Sequence, residues 1–314
     1  MENTKKKKVA LGSLGPLLAL VALVIVVTVL NPSFITPNNL LNLLRQVSIN
    51  ALIAFGMSFV ILTGGIDLSV GSTLALSGAL TAGLIANGLS PVLAMLFGMV
   101  LGAFLGMING LLITKGKMAP FIATLATMTI YRGATLVYTD GNPITGIGKS
   151  FIFQFMGKGY LFGVPFPIIV MLVFFFLLYT LLHKTAFGKK TYAVGGNLKA
   201  AEIAGVKTDK VQIIIYTISG LMASISGIIL TSRLNSAQPT AGQSYEMDAI
   251  AAVVLGGTSL SGGKGRLFGT LIGVLIIGTI NNGLNLLGVS SFYQQIVKGL
   301  VIIIAVLLDR KQNK

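Results

Sequence analysis

Ten apolar runs, at about 11–30, 46–63, 70–87, 91–113, 120–138, 164–182, 211–231, 248–260, 267–287 and 291–308, fill most of the 314 residues. A hydrocarbon core of about 30 Å takes roughly 20 apolar residues of helix to cross. Most of the runs approach that length. Backbone inside lipid must satisfy its own N–H and C=O groups, so such runs fold as spanning helices, and the expected class is an all-α polytopic membrane protein. The run 248–260 is short, and the Gly-rich stretches Val70 to Asn87 and Ala249 to Leu260 also suit re-entrant or broken helices. About ten transmembrane helices are therefore expected, and eight would keep both termini on the same side. Composition agrees, with 54% hydrophobic and 10% charged residues against about a quarter charged in soluble domains.

The net charge of +15 raises nucleic acid as a partner. The basic residues, however, lie between the apolar runs rather than in a stripe interleaved with aromatics, so no nucleic-acid partner is expected. Their placement reads as topology. Ten crossings put Lys5 to Lys8, Lys115, Lys117, the stretch Lys184 to Lys210, Lys264, Arg266 and the tail from Arg310 on one side. The positive-inside rule makes that side the cytoplasm, with both termini there and the bilayer as the surroundings. Arg45, Arg132, Lys149, Lys158, Arg233 and Lys298 fall on the outer side, several at helix ends where long side chains snorkel. The start has the charged front of a signal peptide, but the run 11–30 is of spanning length and Asn31 to Pro37 lacks a small-residue cleavage pattern, so a retained helix is expected. The chain divides into a basic cytoplasmic segment 1–10, a transmembrane domain 11–308 that includes a cytoplasmic segment 183–210, and a tail 309–314.

Glycine is abundant, at 39 residues. Gly98, Gly102, Gly106 and Gly110, and likewise Gly269 and Gly273, recur four apart, which makes a flat stripe for close helix packing. One octapeptide pattern occurs twice: Gly64 to Gly71 and Gly256 to Gly263 both read G-G-x-x-L-S-x-G. Repeated halves are common in transporters. Ten crossings place both copies on the cytoplasmic side in parallel, whereas an inverted repeat requires opposite orientations.

Little catalytic chemistry is on offer. There is no cysteine and one histidine, His183, so thiol, disulfide and His-cluster metal chemistry have no residues to work with. No catalytic pair of carboxylates or nucleophile with base stands out, and no catalytic, cofactor or metal site is expected in this chain. The stretch Gly257 to Gly265 resembles a phosphate loop but fails the Walker spacing, and Gly265 stands where Ser or Thr would hold magnesium. Of the acids, only Asp67 lies between two apolar segments, in a Gly-rich break. It reads either as part of a pore or gate, with Gly64, Gly65 and Ser69, or as an N-cap for the helix that follows. Amides in apolar runs, Asn281 and Asn282 among them, either line a hydrophilic path or bond between helices. Asn197 can cap a short helix from Leu198 to Ala204 that Gly205 ends, which serves either as a connector or as a small-residue surface for a partner.

Four segments carry a family resemblance: Gly64 to Gly71, Lys117 to Ala126, Gly195-Gly196-Asn197 with Ala200, Ala201 and Gly205, and Ala249 to Ser261. Together, over nearly the whole chain, they resemble the permease subunits of ribose and related monosaccharide ABC importers. The resemblance implies two copies around a pore, an extracytoplasmic sugar-binding protein, and a cytoplasmic ATPase that carries the ATP and magnesium and docks on Gly195, Gly196, Asn197, Ala200, Ala201 and Gly205. An ion- or proton-coupled secondary sugar carrier is the alternative. It normally shows acids or histidines within its spans, and here only Asp67 qualifies.

Overall fold

The computed structural model describes residues 2–148 and 150–312. The sequence-based placements of Lys149 and of Met1, Asn313 and Lys314 fall outside the described residues. All ten apolar runs are helices: α1 (Glu2–Leu30), α2 (Pro37–Leu62), α3 (Val70–Ala86), α4 (Pro91–Thr114), α5 (Pro120–Thr139), α7 (Phe166–Lys184), α10 (Thr208–Leu234), α11 (Tyr245–Leu255), α12 (Leu267–Leu286) and α13 (Ser291–Gln312). Three short helices complete the set: α6 (Phe151–Lys158), α8 (Ala186–Gly196) and α9 (Leu198–Ile203). The strands β1 (Tyr160–Leu161) and β2 (Val164–Pro165) form an antiparallel hairpin before α7. The protein is an all-α polytopic membrane protein. Among the described residues, five helices, α2, α4, α7, α10 and α12, are long and apolar enough to cross a membrane.

Proline opens α2, α4 and α5, where its fixed φ suits the first turn and its missing N–H costs nothing. α2 and α10 form the centre. From Ala51 to Leu62 every residue of α2 is buried, and α10 is buried almost continuously from Ser219 to Ser232. A helix apolar all round belongs inside a bundle. The predicted glycine stripe of α4 lies on α10: a Cβ at Gly106 would stand 2.1 Å from the Tyr216 carbonyl oxygen, and one at Gly102 2.3 Å from Ser224 Cβ. The stripe of α12 lies on α11, where a Cβ at Gly273 would stand 1.9 Å from the Ala252 oxygen. Both stripes act as packing surfaces.

Two expectations change. The run 248–260 is not a spanning helix: α11 has 11 residues, about 16 Å of rise, half the hydrocarbon thickness. The irregular stretch 235–244 before it folds back onto the protein so that Gly242 abuts Gly71 at the start of α3. Within this stretch Ser236, Ala237, Pro239 and Gly242 are buried, as irregular backbone in a membrane protein requires protein or water around it. Several outer-side basic residues are also held by the protein rather than snorkelling. Arg45 lies 4.9 Å from the Tyr160 ring centre, Arg132 donates to backbone carbonyls, and Lys298 of α13 pairs with the buried Asp248 of α11 at 2.8 Å. At the basic end, Lys115 and Asp209 join α4 to α10 at 2.6 Å.

Candidate translocation and coupling sites

Three glycine-rich segments that are far apart in sequence meet at the basic end of the bundle. The Gly263 N–H donates to the Leu62 carbonyl, at 2.9 Å, so the loop after α11 caps the last turn of α2. Gly195, near the end of α8, fits against the same place: a Cβ there would lie 1.7 Å from the Leu62 oxygen and 2.6 Å from the Gly263 nitrogen. The Tyr192 hydroxyl of α8 donates to the Gly265 carbonyl at 2.8 Å, and His183 packs between Tyr179 and Tyr192. The start of the first G-G-x-x-L-S-x-G copy, Gly64, thus lies against Gly262 near the end of the second.

The segment after Gly195 presents a different face. Asn197 accepts from the Ala200 N–H at 3.0 Å and caps α9, as its sequence suggests, and Gly205 ends the turn at φ +81°. Ala201 is buried, whereas Gly196, Asn197, Ala200 and Gly205 are exposed, with Ile203 beside them 89% exposed. A Cβ at Gly196 would touch nothing. The six coupling candidates therefore split into an inward pair, Gly195 and Ala201, and an outward, small-residue surface. The sequence pattern did not reveal α8 as a helix of its own.

Asp67 is 1% exposed in the break between α2 and α3. Its Oδ1 accepts from the Ser69 N–H at 3.0 Å and the Ser69 hydroxyl at 2.7 Å, and Oδ2 accepts from the Ser219 hydroxyl of α10 at 2.8 Å. Asn109 of α4 donates to Ser69 Oγ at 2.8 Å, and Thr124 of α5 to the Ile66 carbonyl at 3.1 Å. The bond to Ser69 N closes an Asx turn at the entrance of α3, and the others tie the break to three further helices. Ser219 lies about 16 Å along α10 from its basic end, so this carboxylate is at membrane depth. Gly65 abuts Tyr216, whose hydroxyl would lie 2.5 Å from a Cβ there, while Gly64 takes φ +76° in the turn. Removing a buried acceptor strands its donors, at about 1–3 kcal/mol each. Asp67→Ala should therefore lower the unfolding temperature of the detergent-solubilised protein clearly, and Asp67→Asn, which keeps an oxygen, should lower it less. An Asp67→Asn protein that is fully assembled yet transport-dead would make the residue a gate rather than a tie.

Asn282 and Asn39 of α2 exchange amide bonds at 2.9 and 3.0 Å, a link between helices. Asn281 lines a narrow cleft between α2 and α12 with Gln46 and Asn50, and its Oδ1 has no partner. The structure does not bring these two amides together with Asp67.

A larger opening lies elsewhere. Between α3, α5 and the start of α11 is a cavity of about 540 Å³. Its polar wall is Ser72, Thr129, Arg132, Gln243 and Glu246, and Met128 and Leu136 add apolar surface. Arg132 is braced by two bonds from Nη1, to the carbonyls of Pro239 (2.5 Å) and Ala241 (2.9 Å). Ser72 is 1% exposed and its hydroxyl has no partner. Sequence reasoning missed this site because Arg132 read as a topology marker and Glu246 as a helix-edge acid. The available signal was Arg132, a charge within an otherwise apolar run.

A polytopic helical bundle with broken helices, a cavity that sets a few polar side chains in a mostly apolar wall and a small-residue surface at its basic end has the build of a membrane permease. The chain belongs to the family described as branched-chain amino acid transport system / permease component, whose model matches residues 39–306. It is 70% identical to the ribose import permease protein of Bacillus subtilis (strain 168), over 96% of this chain and 93% of that one. Identity is 52% with the ribose import permease protein of Escherichia coli (strain K12), over 95% and 93% of the two chains. With the D-allose transport system permease protein of the same strain it is 43%, over 90% and 86%. No solved structure gives a match. The chain is thus a multi-pass permease component of the bacterial plasma membrane.

Proposed function

We propose that this chain is the permease subunit of an ATP-driven importer and passes ribose across the membrane by alternating access. The observation that carries the reading is the 70% identity to a ribose import permease across almost the whole of both chains. Two copies surround the path, an extracytoplasmic binding protein delivers the sugar, and a separate cytoplasmic ATPase binds ATP and magnesium. No bond in the sugar is broken.

The coupling geometry follows from the junction at the basic end. The ATPase seats on the exposed surface of Gly196, Asn197, Ala200 and Ile203. Closure of the ATPase pair moves α8 and α9 together. At Gly195 the contact with Leu62 and Gly263 is backbone on backbone, so no flexible side chain absorbs the displacement, and it passes to the end of α2 and the loop leading into α12.

The test is ribose uptake by proteoliposomes containing this chain, its ATPase and its binding protein. Uptake is expected to need all three components and ATP. Uptake by this chain alone, following a proton or sodium gradient, would establish the secondary carrier instead. Preferential uptake of leucine or valine would assign the amino-acid cargo in the family's description.

A further inference from the structure

We propose that the cavity between α3, α5 and α11 is a transit site for the sugar, in which Glu246 and Ser72 hydrogen-bond its hydroxyls beside Arg132. This rests on the importer reading and adds to it a selective site within the permease itself. Arg132 lies twelve residues along α5 from Pro120, about 18 Å, and a guanidinium or carboxylate at that depth must face protein or a water-filled space. Here both face the same cavity. They share it without closing into an ion pair, so each keeps bonding capacity for a third party. Their charges cancel, which suits a neutral solute better than an ion.

Most of the wall is apolar, as in small-molecule sites generally, and its few polar groups suit a polyol. A carboxylate accepts from hydroxyls, a guanidinium donates to them, and the Gln243 amide does both. The buried, unpartnered Ser72 hydroxyl is the strongest single sign, because such a group without a bond costs free energy, and a sugar hydroxyl supplies one. The volume lies within the roughly 300–1,000 Å³ of small-molecule sites. The cavity is lined at the start of α11, whose other end packs on Gly269 of α12 and leads through the loop after it to Gly263 at the coupling junction. The same short helix therefore links the cavity to the region that the ATPase would move.

Gly133 gives a clean test. It lines the cavity, a Cβ there would touch nothing, and the chain has no cysteine, so Gly133→Cys introduces a unique thiol. In the assembled transporter with its binding protein and ATPase, a methanethiosulfonate reagent should label this thiol and reduce ribose uptake to background relative to the same protein unlabelled. Ribose and ATP present during turnover should slow the labelling. Glu246→Gln should lower uptake about tenfold, as expected for one lost bond to a charged group, and Ser72→Ala should lower it without lowering the yield of assembled complex. Labelled protein that transports normally, full uptake by both Glu246→Gln and Ser72→Ala, or a thiol shielded by the second copy would overturn the proposal. Absence of ATP-dependent ribose uptake by the unaltered protein would instead defeat the importer reading.

Discussion

Gly106→Val is expected to abolish the folded permease, not merely to slow it. A Cβ at this position would stand 2.1 Å from the carbonyl oxygen of Tyr216, 2.9 Å from its carbonyl carbon and 3.1 Å from Gly220 Cα. All three are backbone atoms of α10, so no side-chain rotation relieves the clash and α4 must move away. One turn on either side, a Cβ at Gly102 or Gly110 would also stand within 3 Å of α10, at Ser224 and Ile213, so a displacement at Gly106 breaks the whole seam. Tyr216 is itself fully buried against Gly65, which carries the disturbance into the break that holds Asp67. Overpacking typically costs about 1–3 kcal/mol when a core can adjust. Here the adjustment forfeits dispersion contacts along an entire helix pair, the main force between helices in a membrane. Size-exclusion chromatography of solubilised protein should show loss of the monodisperse peak. Gly299→Ala, on α13 with open space at its Cβ, should retain it. A Gly106→Val protein with the parent's peak and melting temperature would refute the close α4–α10 seam.

The membrane class, the helical identity of all ten runs and both glycine stripes were legible in the sequence, because each depends on local periodicity and on the length a bilayer imposes. The second helix begins at Pro37, nine residues before the apolar run that marked it. Other features needed the tertiary fold. Asp67 was conspicuous as an acid among apolar residues, but its partner Ser219 lies 152 positions away. The break at 256–263 was visible, whereas the inward fold of 235–244, which brings Gly242 against Gly71, was not. That fold buries Asp248 and half-buries Glu246. Without it, both acids read as residues of an outer helix edge. α8 escaped notice because its sequence, with three glycines and two lysines in 11 residues, carries no strong helical period, and packing on Leu62 and Gly263 rather than propensity holds it in place.

The two adjacent glycines at the end of α8 should respond to the same substitution in opposite ways. Gly196→Arg, and likewise Ala200→Arg, places a long charged side chain on an exposed surface where nothing in this chain is displaced. The protein should insert, fold and melt like the parent. On the proposed function the bulk stands where the ATPase must seat, so ribose uptake should fall to background and ATP hydrolysis should no longer respond to the sugar-loaded binding protein. Gly195→Arg meets the bundle instead. Even its Cβ would lie 1.7 Å from the Leu62 oxygen, and the rest of the side chain would pry α8 from the end of α2 and break the Gly263–Leu62 bond. Loss of folded protein should precede any question of coupling, and Gly195→Ala should already lower the melting temperature. Co-purification with the ATPase separates the cases: weakened binding by a stable Gly196→Arg permease, and little permease to recover for Gly195→Arg. If Gly196→Arg and Ala200→Arg both support normal ATP-coupled uptake, the outward face of α8 and α9 is a connector and the ATPase docks elsewhere. If Gly195→Arg folds as well as Gly196→Arg, the backbone contact that would transmit the ATPase's motion to α2 does not exist.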